Sequence, residues 1–278
     1  MKIVADTASL ISPQQAEELG IHVIPVSVSI DGETYKDYVE ISTPELLEKI
    51  AEGGVPATSQ PAIGDMMDVI EADESEMLII TLGDGLSGAY QTAMSARNLA
   101  DEPERIHVVN SKTLAGPLRY IVKKAAALKE QGLDIEKIKS ALEQSIESSI
   151  SFVIPEDFEF LKRSGRLTPI AAKVGSTLKL LPVLTQTKDK SRITPLTIKR
   201  SWNTALEAVM EKLHSLDVGV EHLICVCHAG TPQKAEKILE TIKQRFTKAE
   251  TEILELSPGL MTHGGPGCIV IQAIKKVG

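Results

Sequence analysis

Residues 77–91, Met-Leu-Ile-Ile-Thr-Leu-Gly-Asp-Gly-Leu-Ser-Gly-Ala-Tyr-Gln, decide how the chain is read. Positions 77–82 form a nearly unbroken apolar run, the pattern of a strand buried on both faces of a parallel sheet. Positions 83–91 follow at once and open a helix, with Ser87 placed to cap it. A helix N-terminus directly after a parallel strand presents free N–H groups and a positive dipole end, which suits a phosphate or a carboxylate.

The same grammar extends outward from this unit. Residues 2–5 read as a short strand. Ser12-Pro13-Gln14-Gln15 opens a helix with a serine cap and proline at the first helical position, and Gly20 stops it. Residues 22–30 alternate weakly and end on the turn Asp31-Gly32. Ser42-Thr43-Pro44-Glu45 opens a second helix, closed by Gly53-Gly54, and another follows Pro61 over 66–72. Helix 87–100, strand 105–109 and helices 118–131 and 134–148 complete a βαβ pattern. The first half is therefore expected to be a parallel sheet covered by helices.

The second half differs. Residues 151–154 suit a strand, and 158–178 look helical but broken at Gly165, Pro169 and Gly175. Residues 183–187 and 192–198 flank a polar Lys-Asp-Lys-Ser turn and read as a hairpin. Helices 202–215 and 233–246 then alternate with strands 222–227, 251–256 and 268–274, with a Gly/Pro-rich loop before the last. The expected boundary lies near residue 152, dividing an N-terminal α/β domain (1–152) from a C-terminal α/β domain with a mixed sheet (153–278).

Composition limits the function. Of 278 residues, 42% are hydrophobic and 24% charged, the balance of a soluble globular chain, while only 3% are aromatic, so the cores are aliphatic. The net charge of −8 argues against nucleic acid as main partner. No apolar run approaches the ~18 residues of a membrane span. The N-terminus has no secretory pattern, and three cysteines build no disulfide framework, so a reduced cytoplasmic protein is expected. Between Leu161 and Arg200, ten basic residues face one acid, Asp189; that segment carries +9 and the rest of the chain −17. It is either a solvated surface or a face for an acidic or phosphorylated partner.

Four polar clusters sit at element edges. Thr58-Ser59-Gln60-Pro61 precedes a helix and serves either to start it or to meet a ligand. Ser87 in the opening stretch is an anion-binding cap or a nucleophile, although Ala89 stands where G-x-S-x-G has its second glycine. Asn110-Ser111 ends another strand at the ligand-gathering edge of the sheet. Thr262-His263-Gly264-Gly265-Pro266-Gly267 is expected to be a tight loop that brings backbone close to a ligand. Cys225-Val226-Cys227 lies on an apolar strand and reads as buried, inert thiols. No Walker loop, zinc spacing or dinucleotide fingerprint is present, and no catalytic residue or metal ligand is assigned.

Taken in order along nearly the whole chain, these clusters resemble the DegV family of bacterial fatty-acid-binding proteins, which includes the binding subunits of fatty acid kinase. The resemblance runs through Val4-Ala5-Asp6-Thr7, Thr58-Ser59-Gln60-Pro61, Leu86-Ser87-Gly88-Ala89-Tyr90-Gln91 and Asn110-Ser111. It continues through Leu161-Lys162-Arg163-Ser164-Gly165-Arg166, Leu181-Pro182-Val183-Leu184, Lys199-Arg200 and His263-Gly264-Gly265-Pro266-Gly267. The family commonly has Asp-Ser at Asp6-Thr7 and at Asn110-Ser111, Thr at Ala89 and Gly at Ser164. The resemblance implies a two-domain DegV-like α/β fold with the ligand between the domains. The carboxylate of a long-chain fatty acid would meet Thr58, Ser59, Ser87, Gly88, His263 and Gly264, and its tail would enter a tunnel in the second domain. It also implies a non-enzymatic role, presenting the fatty acid to a separate ATP-dependent fatty acid kinase for lipid synthesis. No cofactor, no nucleic acid and at most transient membrane contact are implied. Arg163, Arg166, Lys199 and Arg200 are the residues expected to help dock the kinase.

Overall fold

Apolar residues at consecutive positions build the first sheet. The computed structural model, which describes residues 1–174 and 180–278, places β1 (Lys2–Asp6), β2 (His22–Ile24), β6 (Met77–Thr81) and β7 (Ile106–Asn110) side by side. All are parallel, in the order β2-β1-β6-β7. Val4, Met77 and Ile79 face α3 (Ile63–Glu71) and α4 (Ala89–Leu99), whereas Ile3, Leu78 and Ile80 face α5 (Ala115–Glu130). Burial on both faces is why these strands read as continuous apolar runs.

The second sheet is mixed. β8 (Ile150–Ile154), β9 (Leu181–Gln186), β10 (Ile193–Lys199), β11 (His222–His228), β12 (Glu250–Glu255) and β13 (Ile269–Lys275) lie in the order β10-β9-β8-β13-β11-β12. Only β11 and β12 run parallel, joined by α10 (Pro232–Arg245); the other pairs are antiparallel. One face packs on α9 (Trp202–His214) and α10 through Ile224, Val226, Ile269 and Ile271. The other face, with Leu223, Cys225, Val270 and Ile274, meets α5 and α6 (Ile135–Ser148).

Five layers result, helix–sheet–helix–sheet–helix, and the middle layer is shared. Helix α5 is enclosed by both sheets, so ten of its sixteen residues are buried. The residue-152 boundary falls inside β8, and that whole strand pairs with β13 and β9 of the second sheet. A third, antiparallel sheet not anticipated from sequence, β4-β3-β5, joins β3 (Ser27–Ile30), β4 (Glu33–Lys36) and β5 (Ala57–Ser59). The weak alternation over 22–30 is two strands, β2 and β3, assigned to different sheets.

Local chemistry sets the helix starts. Ser12 with Gln15, and Ser42 with Glu45, form capping boxes at α1 (Pro13–Glu18) and α2 (Thr43–Ala51). The expected helix over 158–178 is divided into α7 (Phe158–Arg163) and α8 (Pro169–Val174), with Gly165 at a φ of 71° between them. The break at Gly175, and Lys179 of the basic segment, lie outside the described residues. The stretch around His263 differs from the expected loop. It is α11 (Pro258–Gly264), because the Ser257 hydroxyl accepts from Leu260 N–H and Pro258 starts the turn; Gly265 (φ 76°) follows it.

Close approach of α5 to the second sheet depends on Gly116. A Cβ there would lie 2.5 Å from both Cβ and Sγ of Cys225. Gly116→Ala is expected to lower stability by about 1–3 kcal/mol through overpacking of the shared layer, read as a reduced urea midpoint. An unchanged midpoint would mean that the layers can separate without cost.

Candidate functional site

The order β2-β1-β6-β7 reverses direction at β1 and β6, and such switch points open a crevice at the carboxyl ends of the strands. One buried side chain organises that crevice. Asp6, the last residue of β1, accepts from Ala8 N–H (3.0 Å) through Oδ1 and from Leu82 N–H (2.8 Å) through Oδ2. It ties the loop after β1 to the loop after β6. Burial raises its pKa to about 6, against the lowering effect of the two N–H donors. A second buried carboxylate, Asp37, accepts from Gly259 N–H at 3.1 Å and holds the start of α11; burial raises its pKa as well.

A cavity of about 450 Å³ lies over this frame. Ala8, Val26, Leu82, Leu86 and Leu114 of the first half and Val153, Leu161, Ile193, Leu256, Leu260 and Val270 of the second make its wall mainly aliphatic. The apolar wall is therefore drawn from both halves, not from the second alone. The two halves also meet at Gly85: a Cβ there would lie 2.1 Å from the Ser191 backbone, so only glycine lets the two loops touch.

The polar residues converge at one end. Thr58, in the middle of β5, and His263, on α11, share a hydrogen bond of 2.8 Å between Oγ1 and Nε2 across 205 positions of sequence. Ser59, Ser87, Gly88 and Gly264 also line the cavity, so all six residues expected to meet a ligand are brought together. Ser87 Oγ accepts from Ala89 N–H at 3.2 Å, while Gly88 precedes α4 without a side-chain cap. The entry to α4 thus brings the Ser87 hydroxyl and the Gly88 backbone to the cavity wall.

Electrostatics at this end are simple. Desolvation, and secondarily the positive charge of Arg166, push His263 down to about 4, so its imidazole is neutral at physiological pH. Arg166 lines the cavity, its Nε donating to Leu86 O at 3.0 Å and its Nη1 to Ser164 O. Among the described lining residues it carries the only formal charge. One cation and several hydroxyls beside an aliphatic void are chemically suited to a single monoanionic head on an apolar body.

The other basic residues expected at a partner surface are placed outside the cavity. Arg163 is exposed, its guanidinium 4.6 Å from the Phe160 ring centre. Lys199 ends β10, and exposed Arg200 follows it. The three cysteines are free and buried, their thiol pKa values raised by desolvation, as expected for inert groups. Ser87 and His263 do not form a nucleophile–base pair: one bonds to Ala89 and the other to Thr58. Among the described residues, no cluster of His, Cys, Asp or Glu could hold a metal, and no helix is long and apolar enough to cross a membrane.

The family described as uncharacterised DegV proteins matches residues 1–276. The chain belongs to the DegV family. A DegV domain-containing protein of Clostridium acetobutylicum is 31% identical over 279 residues, covering 98% of this chain and 96% of that protein. Two solved structures share the fold over 99% of both chains. DegV of Bacillus subtilis, described as a fatty acid binding protein, matches with a TM-score of 0.87 at 27% identity. A DegV family protein of Thermus thermophilus, described by its fatty acid binding, matches with 0.88 at 26%.

The positions where this chain departs from the common DegV pattern keep structural roles. Thr7 Oγ1 accepts from Val26 N–H (3.1 Å), fixing a cavity-wall residue. Asn110 Oδ1 accepts from the N–H groups of Asp84 and Lys112 and so steadies the loop before Ser87. Ser164 donates to Leu161 O (2.6 Å) and accepts from Arg166 N–H (3.2 Å), shaping the turn that delivers Arg166. Ala89 is fully buried under the start of α4. Asp37 and the cavity position of Arg166 escaped sequence reasoning. For Arg166 a local signal existed, the Ser-Gly turn before it, but nothing local told cavity from surface.

A buried neutral imidazole has a measurable consequence. As pH falls from 6.5, the ordinary histidine value, towards 4, the unfolded chain takes up a proton that folded His263 refuses. His263 thus costs the wild-type protein stability across that window. Asp6 acts oppositely, gaining stability as pH falls from about 6 towards 3.8, but does so with or without His263. The urea-midpoint difference between His263→Gln and wild type is expected to shift in favour of the variant between pH 7 and pH 4.5. A pH-independent difference would show that the imidazole is not held neutral.

Proposed function

We propose that this DegV protein binds a long-chain fatty acid in the cavity and presents its carboxylate to a separate ATP-dependent kinase. The observation that carries the reading is the lining: Thr58, Ser87, Gly88, His263 and Arg166 share one largely aliphatic cavity. The ligands described for the B. subtilis and T. thermophilus relatives support it. A volume of 450 Å³ holds roughly fifteen groups the size of a water molecule, at about 30 Å³ each, and a methylene is close to that size. Burying ~15 methylenes at ~0.8 kcal/mol each supplies about 12 kcal/mol of gross stabilisation. Ordering the chain and association entropy remove part of it.

The carboxylate is costly to bury unless it is hydrogen-bonded, and the hydroxyls and backbone donors meet that need. Neutral His263 orients the head group through Thr58; Arg166 balances its charge. The chain supplies no phosphate-binding loop of its own, so a kinase that transfers the γ-phosphoryl group of ATP to the bound carboxylate, giving acyl phosphate and ADP, fits the arrangement. The basic residues Arg163, Lys199 and Arg200 provide charge complementarity for that encounter, which mainly raises the association rate and weakens with salt. The setting proposed is the cytoplasm.

Three measurements test this reading. Denaturing extraction of the purified protein should return a long-chain fatty acid; none returned, with no binding of added palmitate or oleate, overturns it. Thr58→Val and Ser87→Ala should each weaken binding of the acid by about 1.5–3 kcal/mol, non-additively because both serve one carboxylate. A fatty alcohol of equal length that binds the wild type as tightly as the acid would remove the anion site. Charge reversal at Arg163 and Arg200 should leave fatty acid binding intact and slow kinase-dependent acyl phosphate formation most at low salt; unchanged rates at every salt would remove the docking role.

A further inference from the structure

Gln60 is an exposed residue of the turn between β5 and α3, yet its side chain lies along the first turn of α4. Its Nε2 donates to Thr92 Oγ1 at 2.9 Å, and Thr92 is buried on α4 one turn beyond Gly88. Its Oε1 fills the space beside Gly88: a Cβ there would sit 1.7 Å from that oxygen. Gly88 has an ordinary helical φ of −77°, so the backbone does not require glycine. The space taken by Gln60 does.

Among the described residues, this is the one hydrogen bond joining the β5–α3 turn to α4. Its placement matters because the polar end of the cavity has two sides. Thr58 comes from β5, held by pairing with β3 and by His263, while Ser87 and Gly88 come from the entry to α4. We infer that Gln60 is a positioning residue that locks these two sides at the separation one carboxylate requires, and so sets the preference for a free acid over its neutral derivatives. The inference rests on the fatty-acid reading of the cavity. Two hydroxyls can share one carboxylate only if their spacing is held before binding, since ordering them afterwards costs affinity. Gln60 itself lines the cavity between Thr58 and Gly88, whereas Thr92 does not, so Thr92→Val tests the spacing apart from any contact of the Gln60 amide with the ligand.

The test is the ratio of affinities for oleate and methyl oleate, measured on the delipidated full chain. Both ligands share the tail, so the ratio isolates the head group. Gln60→Ala and Thr92→Val should each lower the ratio about three- to tenfold by weakening the acid, with affinity for the ester retained. The double variant should lose no more than either single one, because both remove the same tether. Gln60→Met keeps the bulk without the amide and should behave like Gln60→Ala. A ratio unchanged in variants that melt like the wild type overturns the inference. So does an equal loss for acid and ester, which would make Gln60 part of the tail wall. If the unsubstituted protein itself shows no preference for the acid, the reading of the cavity fails, and the role of Gln60 falls with it; that result is recognisable because no substitution is needed to see it.

Discussion

The buried carboxylate of Asp6 is the constraint on which the rest of the site depends. It stands where the parallel sheet reverses strand order, and two loops leave the sheet there in different directions. Its two oxygens accept one N–H from each loop, Ala8 and Leu82, so the crevice opens at a fixed width. Burial works against its charge and raises its pKa to about 6. The frame is thus held by a group close to its own titration range, and its hydrogen bonds must offset a desolvation cost that an exposed carboxylate never meets. Asp37 repeats the device at the start of α11, with Gly259 N–H as donor. Both carboxylates hold backbone that lines the cavity, and neither is itself part of its wall.

Around this frame, the two sheets are not independent bodies. They share α5 and α6, and the first core continues from Ile3 and Leu78 through α5 to Cys225 and Val270 without a gap. The consequence for the cavity is direct. Its wall alternates between the two halves because both halves close on the same helices, and Arg166, Ile193 and His263 reach a site whose hydroxyls belong to the first sheet and its satellite strands. The hairpin of β9 and β10 tightens that closure. Lys190 Nζ donates to the carbonyls of Ile146 and Glu147 at the end of α6, and the neighbouring Ser191 backbone rests on Gly85. Burial lowers the Lys190 pKa to about 8, a cost offset by these carbonyls and by Glu147.

The polar end owes its character to a division of charge. Desolvation, and after it the charge of Arg166, lower the His263 pKa to about 4, so Arg166 carries the formal charge at this end. His263 instead spends its Nε2 on Thr58, where it fixes the direction of a hydroxyl. The Ser87 hydroxyl, just before the helix start, accepts from Ala89 N–H, and among the described residues no base is hydrogen-bonded to it.

Much of the fold was legible in the sequence because its signals are local. Consecutive apolar positions over 77–81 mark a strand covered on both sides, and Ser-x-x-Gln and Ser-x-x-Glu at Ser12 and Ser42 mark helix starts through bonds that span three residues. The mixed character of the second sheet followed from a polar hairpin turn and a change of pattern. The ordered motifs also located Thr58, Ser87 and His263, but as separate clusters. What only the tertiary structure decided lies between distant segments. Thr58 meets His263 across 205 positions, Gln60 crosses to Thr92, and Arg166 turns from the basic face into the cavity. The helix at 258–264 was hidden because glycine and proline suggest a loop, whereas the Ser257 cap and the Asp37 carboxylate hold it as a turn of helix. Likewise, β8 belongs to the second sheet through partners in β9 and, more than a hundred positions away, in β13. Local backbone preference is written residue by residue, but the choice of partner, and the burial that shifts a pKa, exist only once the chain has closed on itself.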